Sequence, residues 1–281
     1  KILALVASQD STVEDVKTNG RRQMQALIGK DKEVLFCEYS TIEICRNGEL
    51  AIICLGEKME KPDYFWPLLG STDGFILENM LQDAGIPSIL NLRELQVARS
   101  KIATYQRLAQ NGIRVPDTMV FFKDSDPETL SGRFGYPFVV KPDSGFGGIG
   151  VELIHNFATL SYGQAYVAQE YIATSKGRDI RVVVLHGRYY FSMERHASNP
   201  DEFRSNVHVG GTTQEKTLTE EEKVFCEKVA SIFDLPIIGL DLMIGDGEYV
   251  LAEVNAFPGM PGRKMMDAYA SVIDDFMEGQ A

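Results

Sequence analysis

Apolar and amphipathic segments alternate along this chain, and Gly, Pro and Asn residues separate them. Near the N-terminus, three short apolar segments predict strands, at residues 2–7, 34–44 and 50–55. Between the first two, Ser11-x-x-Glu14 has the spacing of a capping box and predicts a helix to about Gly29. A further helix is expected from Asp73 to Gly85. This alternation predicts an α/β N-terminal domain.

The middle of the chain predicts a smaller α+β unit. A helix is expected over residues 101–110, since Asn111-Gly112 supplies a stop signal after it. The acidic segment 124–127 predicts a turn. Strands are expected at two places, before Lys141 and over residues 165–172.

The last third of the chain is rich in hairpin signals. His186-Gly187 and Gly245-Asp-Gly247 are turn sequences, and each lies between two alternating segments. The flanking strands are predicted over residues 179–185, 188–195, 237–244 and 248–255. Two helices are predicted, one over 219–233, which starts with the capping box Thr219-x-x-Glu222, and one over 265–277. Three domains follow from these elements, at residues 1–92, 93–172 and 173–281.

The composition narrows the class of protein. With 44% hydrophobic and 24% charged residues over 281 positions, we expect a soluble globular protein. The formal net charge of −12 argues against a general nucleic-acid surface. No apolar run reaches the about 20 residues of a membrane span, so we expect no membrane association. The four cysteines form no C-x-x-C pair, which indicates a reduced, cytoplasmic protein.

The segment most informative about chemistry is FVVKPDSGFGGIGV, from Phe138 to Val151. It contains four glycines, Gly145, Gly147, Gly148 and Gly150, which let backbone N–H groups approach an anion. Lys141 beside them suits a nucleotide phosphate. Three of the glycines match G-x-G-x-x-G, but that fingerprint opens a helix, whereas a β-rich run follows here. We therefore predict a phosphate-covering loop between two strands, which also lacks the Gly-Lys-Ser/Thr of a P-loop.

A second cluster combines two carboxylates and an amide. Asp241 lies in an otherwise apolar strand, and Glu253 and Asn255 share one face of the next strand. Pairing of the two strands through their turn would bring the three side chains together, and such oxygen ligands suit Mg²⁺. The alternative is a set of solvated residues on an exposed sheet face.

A third cluster is cationic. Arg181 follows Asp179 by two residues, Arg195 ends the next strand, and Arg204 lies in Phe203-Arg-Ser-Asn206. Arginines near a metal–phosphate site can stabilise the charge of a transferring phosphoryl group. For any one of them, a surface salt bridge is the alternative.

Together these segments resemble the ATP-grasp superfamily, and most closely its RimK-type branch of glutamate ligases. The resemblance covers roughly residues 62–278. It is carried by the motifs Val-Val-Lys-x₆-Gly-Ile-Gly-Val, Gln-Glu-Tyr-Ile, Asp-Ile-Arg, Phe-Arg-Ser-Asn-x-His-x-Gly-Gly and Glu-Val-Asn-Ala-x-Pro-Gly. The implied fold is ATP-grasp, with an N-terminal α/β domain (1–92), a central lobe that carries the glycine lid (93–172) and a C-terminal lobe that carries the Mg²⁺ and ATP site (173–281).

The resemblance also implies roles for single residues. Phosphates would be bound by Lys101, Lys141, the lid glycines Gly145, Gly147 and Gly148, and the triphosphate group Arg204, Ser205 and Asn206. Glu170 and the backbone of Tyr171 would meet adenine, and Asp179 would lie near the nucleotide sugar. Asp241, Glu253 and Asn255 would bind two Mg²⁺ ions, for which Mn²⁺ can substitute. Catalytic roles fall to Arg181, Arg195 and Arg204, the first two facing the transferred phosphoryl group or a substrate carboxylate.

The implied activity is ATP-dependent ligation of a carboxylate to an amine through an acyl phosphate. The acceptor would be an amino acid, a peptide or a protein tail, and related enzymes assemble as dimers or tetramers. A ligase of small metabolites or free amino acids is an alternative within the superfamily. A synapsin-like regulatory protein that binds ATP without catalysis is the alternative of another class, and the intact lysines and acidic residues argue against it.

Overall fold

A computed structural model of the chain describes residues 2–6, 34–38, 42–44, 50–54, 57–58, 60–67, 72–122, 127–145, 147–156, 166–205, 210–258 and 263–279. The chain forms two compact units, one from residues 1–96 and 259–281 and the other from residues 97–258. The helix predicted from Ser11 to Gly29 lies outside the described residues.

The elements of the described residues are as follows. The strands are β1 (Ile2–Val6), β2 (Val34–Glu38), β3 (Ile42–Ile44), β4 (Leu50–Cys54), β5 (Glu57–Lys58), β6 (Tyr64–Trp66), β7 (Thr118–Phe121), β8 (Phe138–Pro142), β9 (Glu152–Ile154), β10 (Tyr166–Glu170), β11 (Arg178–Leu185), β12 (Arg188–His196), β13 (Thr212–Glu215), β14 (Ile237–Ile244) and β15 (Tyr249–Asn255). The α-helices are α1 (Thr72–Asp83), α2 (Leu92–Arg99), α3 (Lys101–Gln110), α4 (Pro127–Phe134), α5 (Glu220–Ala230) and α6 (Arg263–Glu278).

The first unit contains two small sheets. β1 pairs in parallel with β2 and with β6, and β4 pairs antiparallel with β3 and with β5. The segment 34–44, predicted as one strand, is therefore two strands that belong to different sheets. Phe65 and Trp66 are almost completely buried in this unit. The ring of Tyr269 in α6 packs edge-on against Trp66, with ring centroids 5.9 Å apart.

These aromatic contacts group α6 with the N-terminal residues, although the sequence-based division assigned residues 173–281 to one lobe. Phe276 meets Tyr64 with ring centroids 5.1 Å apart, so β6 contacts both the middle and the C-terminal turn of α6. Such contacts join residues about 200 positions apart, and periodicity along the chain does not report them. The three-part division itself stays a prediction.

The second unit is built on two antiparallel sheets, with strand orders β7-β10-β8-β9 and β13-β12-β11-β14-β15. Both predicted hairpins of the larger sheet are confirmed. His186 and Gly187 have φ angles of 49° and 73°, as the two central residues of a type I′ turn require. The predicted capping box of α5 is also formed, because Thr219 and Glu222 bond to each other's backbone N–H.

The smaller sheet carries the glycine loop. β8 and β9 are adjacent antiparallel strands, with Phe138 opposite Ile154, and the loop joins them. This confirms the prediction of a strand-to-strand loop and excludes a turn that opens a helix. Beneath the sheet, α4 places Leu130 in a core with Phe121 and Phe138. None of the described helices has the length and apolar character to cross a membrane.

Candidate active site

A cleft of about 930 Å³, including the part that is open to solvent, lies in the second unit and is lined by residues of both sheets. Most of the residues predicted for the site line it. They are Lys101, Lys141, Gly145, Gly148, Glu170, Tyr171, Asp179, Arg195, Arg204, Ser205, Asp241 and Glu253. The cleft therefore collects side chains that are up to about 150 positions apart in the sequence.

Two lysines enter the cleft from different elements. Lys101 is the first residue of α3, and its Nζ lies 3.3 Å from Glu253 Oε1. Lys141 projects from β8, and its Nζ donates to the hydroxyl of Tyr105 at 2.8 Å. Burial lowers the pKa of Lys141 to about 8, while the charges of Glu253 and Asp241 oppose that shift. A bound phosphate would favour the protonated, charged form of Lys141, which burial disfavours.

Four buried charged residues of alternating sign lie beside the cleft on three neighbouring strands, β11, β12 and β14. Asp179 lies opposite Arg195, and Arg181 lies opposite Asp241, so the cross-strand register places opposite charges side by side. Arg195 donates to both Asp179 oxygens and, at 2.8 Å, to Asp241 Oδ2. Arg181 donates to both oxygens of Asp241. We name these four residues the charge row.

Burial and pairing compete in the charge row. Burial alone would raise the pKa of Asp241, but Arg181 and Arg195 hold it down at about 2. Burial raises the pKa of Asp179 against the pull of Arg195. The structure thus places both arginines against carboxylates of the protein, although the sequence suggested that they face a substrate. Arg181 is outside the cleft lining, and the sugar-binding role of Asp179 stays a prediction.

The residues predicted to bind metal lie on the paired strands β14 and β15. Asp241 is opposite Glu253, and Asn255 is opposite Gly239, so their side chains share one sheet face. Three of about four acceptor positions on Asp241 are taken by the arginines, which leaves one on Oδ1. No cluster of three His, Cys, Asp or Glu side chains occurs in the described part of the chain, so a metal would draw on these mixed ligands.

The amide of Asn255 fits a cation. Its Nδ2 is buried and has no hydrogen-bond partner among the described residues. A half-turn of the amide would place the oxygen at that position, where a cation would satisfy it. With Glu253 and Asp241, this donor set of oxygens is of the kind that Mg²⁺ accepts, since Mg²⁺ keeps waters and phosphate oxygens in its shell. The residues present therefore fit the metal that the resemblance implies.

Arg204 connects the lid to a neighbouring loop. Its Nη1 donates to the carbonyl of Gly148 at 3.0 Å. Glu202 accepts two bonds from the guanidinium and one from the Arg204 backbone, at 2.8–2.9 Å. These bonds lower the pKa of Glu202 to about 2. Ser205 is buried beside Arg204, whereas Asn206 lies outside the described residues.

The residues predicted to meet adenine lie where β10 ends. Glu170 and Tyr171 both line the cleft, and the Tyr171 ring packs edge-on against Phe203 with centroids 6.3 Å apart. Glu170 Oε1 accepts from Arg114 Nη2 at 2.6 Å and from the backbone N–H of Asp117 at 2.9 Å. The Glu170 side chain is therefore tied to the loop before β7, and contact of Glu170 and Tyr171 with adenine stays a prediction.

Two residues of the site were missed by sequence reasoning. Tyr105 lies one helical turn after Lys101, and that spacing could have indicated a shared helix face. Glu202 precedes Arg204 by two positions in an irregular segment, where no periodicity signals a contact.

Gly147 has a left-handed φ of 67° in the lid but lies outside the cleft lining. Cys226 is buried, with its pKa raised by burial to about 12, as suits a core residue.

The fold and the cleft together define a class of protein. Two antiparallel sheets hold a glycine lid, two lysines and acidic strands around one cleft, and the molecule is an ATP-grasp protein of the ATP-dependent carboxylate–amine ligases. The model of the RimK-like ATP-grasp domain matches residues 98–274, and the chain belongs to that family. A probable alpha-L-glutamate ligase of Aeromonas salmonicida (strain A449) is 30% identical over 240 residues, which is 80% of each protein.

Solved structures share the fold at lower identity. D-alanine–D-alanine ligase from Bacillus anthracis, in complex with ATP, superposes with a TM-score of 0.69 at 20% identity, covering 99% of this chain and 96% of that one. VanG D-Ala:D-Ser ligase from Enterococcus faecalis superposes with a TM-score of 0.73 at 17% identity, covering 99% and 98%. These likenesses support the ATP-grasp fold of the whole chain.

Proposed function

We propose that this ligase uses ATP to activate a carboxylate as an acyl phosphate and joins it to an amine, with glutamate as the amino acid that is added to a peptide, protein or small-molecule acceptor. The observation that carries the proposal is the convergence of Lys101, Lys141, Asp241 and Glu253 on one cleft. The choice of glutamate is supported by the relative that is named a probable alpha-L-glutamate ligase.

In this mechanism, Lys101 of α3 and Lys141 of β8 neutralise phosphate oxygens of ATP in the cleft. A carboxylate oxygen of the substrate attacks the γ-phosphorus, and the bond to the ADP oxygen breaks. The amine then attacks the acyl carbon, the bond to phosphate breaks, and the amine releases a proton. The protein supplies no nucleophile, so its contribution is positioning and charge stabilisation.

Asp241, Glu253 and Asn255 would hold Mg²⁺, which would neutralise phosphate oxygens and polarise the transferred group. Two ions are proposed, with Mn²⁺ as a substitute. The lid around Gly148 would exclude water, since water would hydrolyse the acyl phosphate before the amine arrives. Arg204 supports this role because it bonds to the Gly148 carbonyl.

The test is phosphate release by the purified protein with ATP and Mg²⁺ across a panel of amino acids and peptides, with the product identified by mass. We expect release only when a suitable carboxylate and amine are both present, with glutamate among the substrates used. Lys141→Ala and Glu253→Ala should each reduce the rate at least about 100-fold. The matched control is Lys228→Ala, which removes an exposed lysine of α5.

Other outcomes would redirect the proposal. Activity that survives both cleft variants unchanged would exclude the assigned site. Products formed only from free amino acids or small metabolites would favour a metabolite ligase. Binding of ATP without turnover across the whole panel would favour a regulatory protein of the same fold.

A further inference from the structure

The two lysines of the cleft lie on different elements, and a residue of each element holds part of the other in place. Lys101 belongs to α3, and Lys141 belongs to β8. The side chain that holds Lys141 comes from α3, and the residue that holds the start of α3 comes from the segment after β8. The geometry of each contact shows how firmly the lysines are placed.

Tyr105 holds Lys141 through its hydroxyl group, and a second partner defines which of its hydrogen bonds the hydroxyl donates and which it accepts. The hydroxyl donates to the carbonyl of Ala252 at 2.5 Å, and a carbonyl can only accept. The same oxygen must therefore accept from Lys141 Nζ at 2.8 Å. Tyr105 is 4% exposed, and Lys141 Nζ also lies 5.3 Å from the centre of its ring. The phenol thus offers the ammonium both an acceptor and an aromatic face.

Asp143 fixes the start of α3, where Lys101 lies. Its Oδ1 accepts from the backbone N–H of Ile102 at 2.9 Å and from the hydroxyl of Ser100 at 3.1 Å. Its carbonyl accepts from the backbone N–H of Lys101 at 3.1 Å and from Lys101 Nζ at 3.4 Å. The position of α3 is therefore tied to the first residue after β8, two positions beyond Lys141.

We propose that Tyr105 and Asp143 are positioning residues that hold Lys141 and Lys101 against the phosphates of the nucleotide. The inference rests on the proposed function, in which both lysines meet phosphate oxygens. A free lysine side chain loses rotamer entropy when it is ordered. Because Tyr105 and Asp143 order the lysine side chains in the free protein, this entropy is lost on folding. Nucleotide binding is then not weakened by the same loss.

The first test compares two nucleotides by calorimetry. AMP-PNP with Mg²⁺ carries the phosphates that the lysines would meet, whereas AMP lacks the β- and γ-groups. Tyr105→Phe keeps the ring and removes the acceptor. We expect its Kd for AMP-PNP to rise about tenfold while its Kd for AMP is unchanged. A purely structural role would weaken both nucleotides alike, so equal losses, or no loss of AMP-PNP binding, would overturn the proposal.

Tyr249→Phe is the matched control. The Tyr249 hydroxyl also donates a 2.5 Å bond, in this case to Glu222 at the edge of α5. Its removal should leave both Kd values unchanged. A tenfold loss in this control as well would show that the Tyr105 effect is not specific to the cleft, and would count against the proposal.

A second variant tests how Asp143 positions Lys101. Asp143→Ala removes the carboxylate that holds Ser100 and Ile102, and we expect about a fivefold rise in the Kd for AMP-PNP with little change for AMP. Thr219→Ala removes a comparable cap at the start of α5 and should leave nucleotide binding unchanged. Should Tyr105→Phe fail to fold, this pair decides the proposal by the same criterion.

Failure of this inference is separable from failure of the proposed function. If Lys141→Ala abolishes AMP-PNP binding but Tyr105→Phe and Asp143→Ala bind like the unmodified protein, the lysine site stands and the positioning role is wrong. If Lys141→Ala binds AMP-PNP normally, the phosphate site itself is wrong, and the positioning role falls with it.

Discussion

At the scale of single residues, the cations in and beside the cleft have two kinds of partner. Arg181 and Arg195 are neutralised by buried carboxylates of the charge row. Lys141, in contrast, is bonded to the neutral phenol of Tyr105, so burial weakens its hold on its proton. The sequence predicted Lys141 from its place beside the glycine loop. The spacing from Lys101 could have indicated the helix face of Tyr105, but not its bond to Lys141, which depends on how α3 packs against β8.

The lowered pKa of Lys141 predicts that nucleotide affinity falls in alkaline solution. As the pH rises through about 8, the free protein loses the proton of Lys141, whereas bound phosphate favours the protonated form. Binding must then take up a proton, so the Kd for AMP-PNP should rise by up to tenfold per pH unit above about pH 8. Calorimetry between about pH 7 and about pH 9.5 measures this change.

Lys141→Arg supplies the control for this pH dependence. A guanidinium keeps its proton throughout this range, so the variant should show a flatter profile even if its affinity is lower. A profile for the unmodified protein as flat as that of the arginine variant would show that Lys141 does not titrate near pH 8.

At the scale of elements, turn and capping chemistry made the sequence informative, and two helices were missed although each starts with such a signal. The two hairpins and α5 were predicted because their turns and cap are local. The helix α2 was missed although Asn91 caps it, because Ser100 starts α3 directly after it and two short helices follow each other closely. The helix α4 was also missed: the acidic segment 124–127 predicted only a turn, although proline is common at the first position of a helix and α4 starts at Pro127.

The pairing of β14 with β15 predicts an effect of a single added methyl group. A Cβ on Gly239 would lie 2.7 Å from Pro258 Cβ and 3.3 Å from Asn255 Cβ. Gly239→Ala should therefore displace Pro258 and crowd Asn255, destabilise the fold by about 1–3 kcal/mol and reduce ligase activity. Urea unfolding and the phosphate-release rate measure the two effects.

Gly132→Ala is the matched substitution in the same unit. A Cβ on Gly132, within α4, meets no atom within 4 Å, and its φ is not left-handed. We expect it to stabilise the protein by about 0.5–1 kcal/mol, since alanine favours helix over glycine, and to leave activity unchanged. Equal behaviour of the two variants would contradict the crowding at Gly239.

At the scale of the whole molecule, the net charge of −12 bears on the choice of acceptor. The order of motifs along the chain was sufficient to predict the ATP-grasp fold, which the family match confirms. The grouping of α6 with the N-terminal unit could not be predicted, because the contacts of Tyr269 and Phe276 join distant parts of the chain.

The charge predicts how salt acts on an acidic acceptor. A Glu-rich peptide should be repelled by the protein at low ionic strength, because the Debye length at about 0.01 M is about 30 Å. Raising NaCl to about 0.15 M should lower the KM for such a peptide and raise the KM for a Lys-rich one. If both KM values move in the same direction, the global field of the protein does not govern encounter with the acceptor.

The charge row has a consequence for how this protein can diverge. Removal of one member leaves an uncompensated buried charge, at a cost of about 3–5 kcal/mol, whereas replacing an ion pair by well-packed apolar residues is often tolerated. Because Arg195 bonds to both Asp179 and Asp241, the effect of each substitution depends on which partners are still present. The four positions of the charge row are therefore epistatic. We expect a substitution at one of them to be tolerated only when its charged partner is replaced as well.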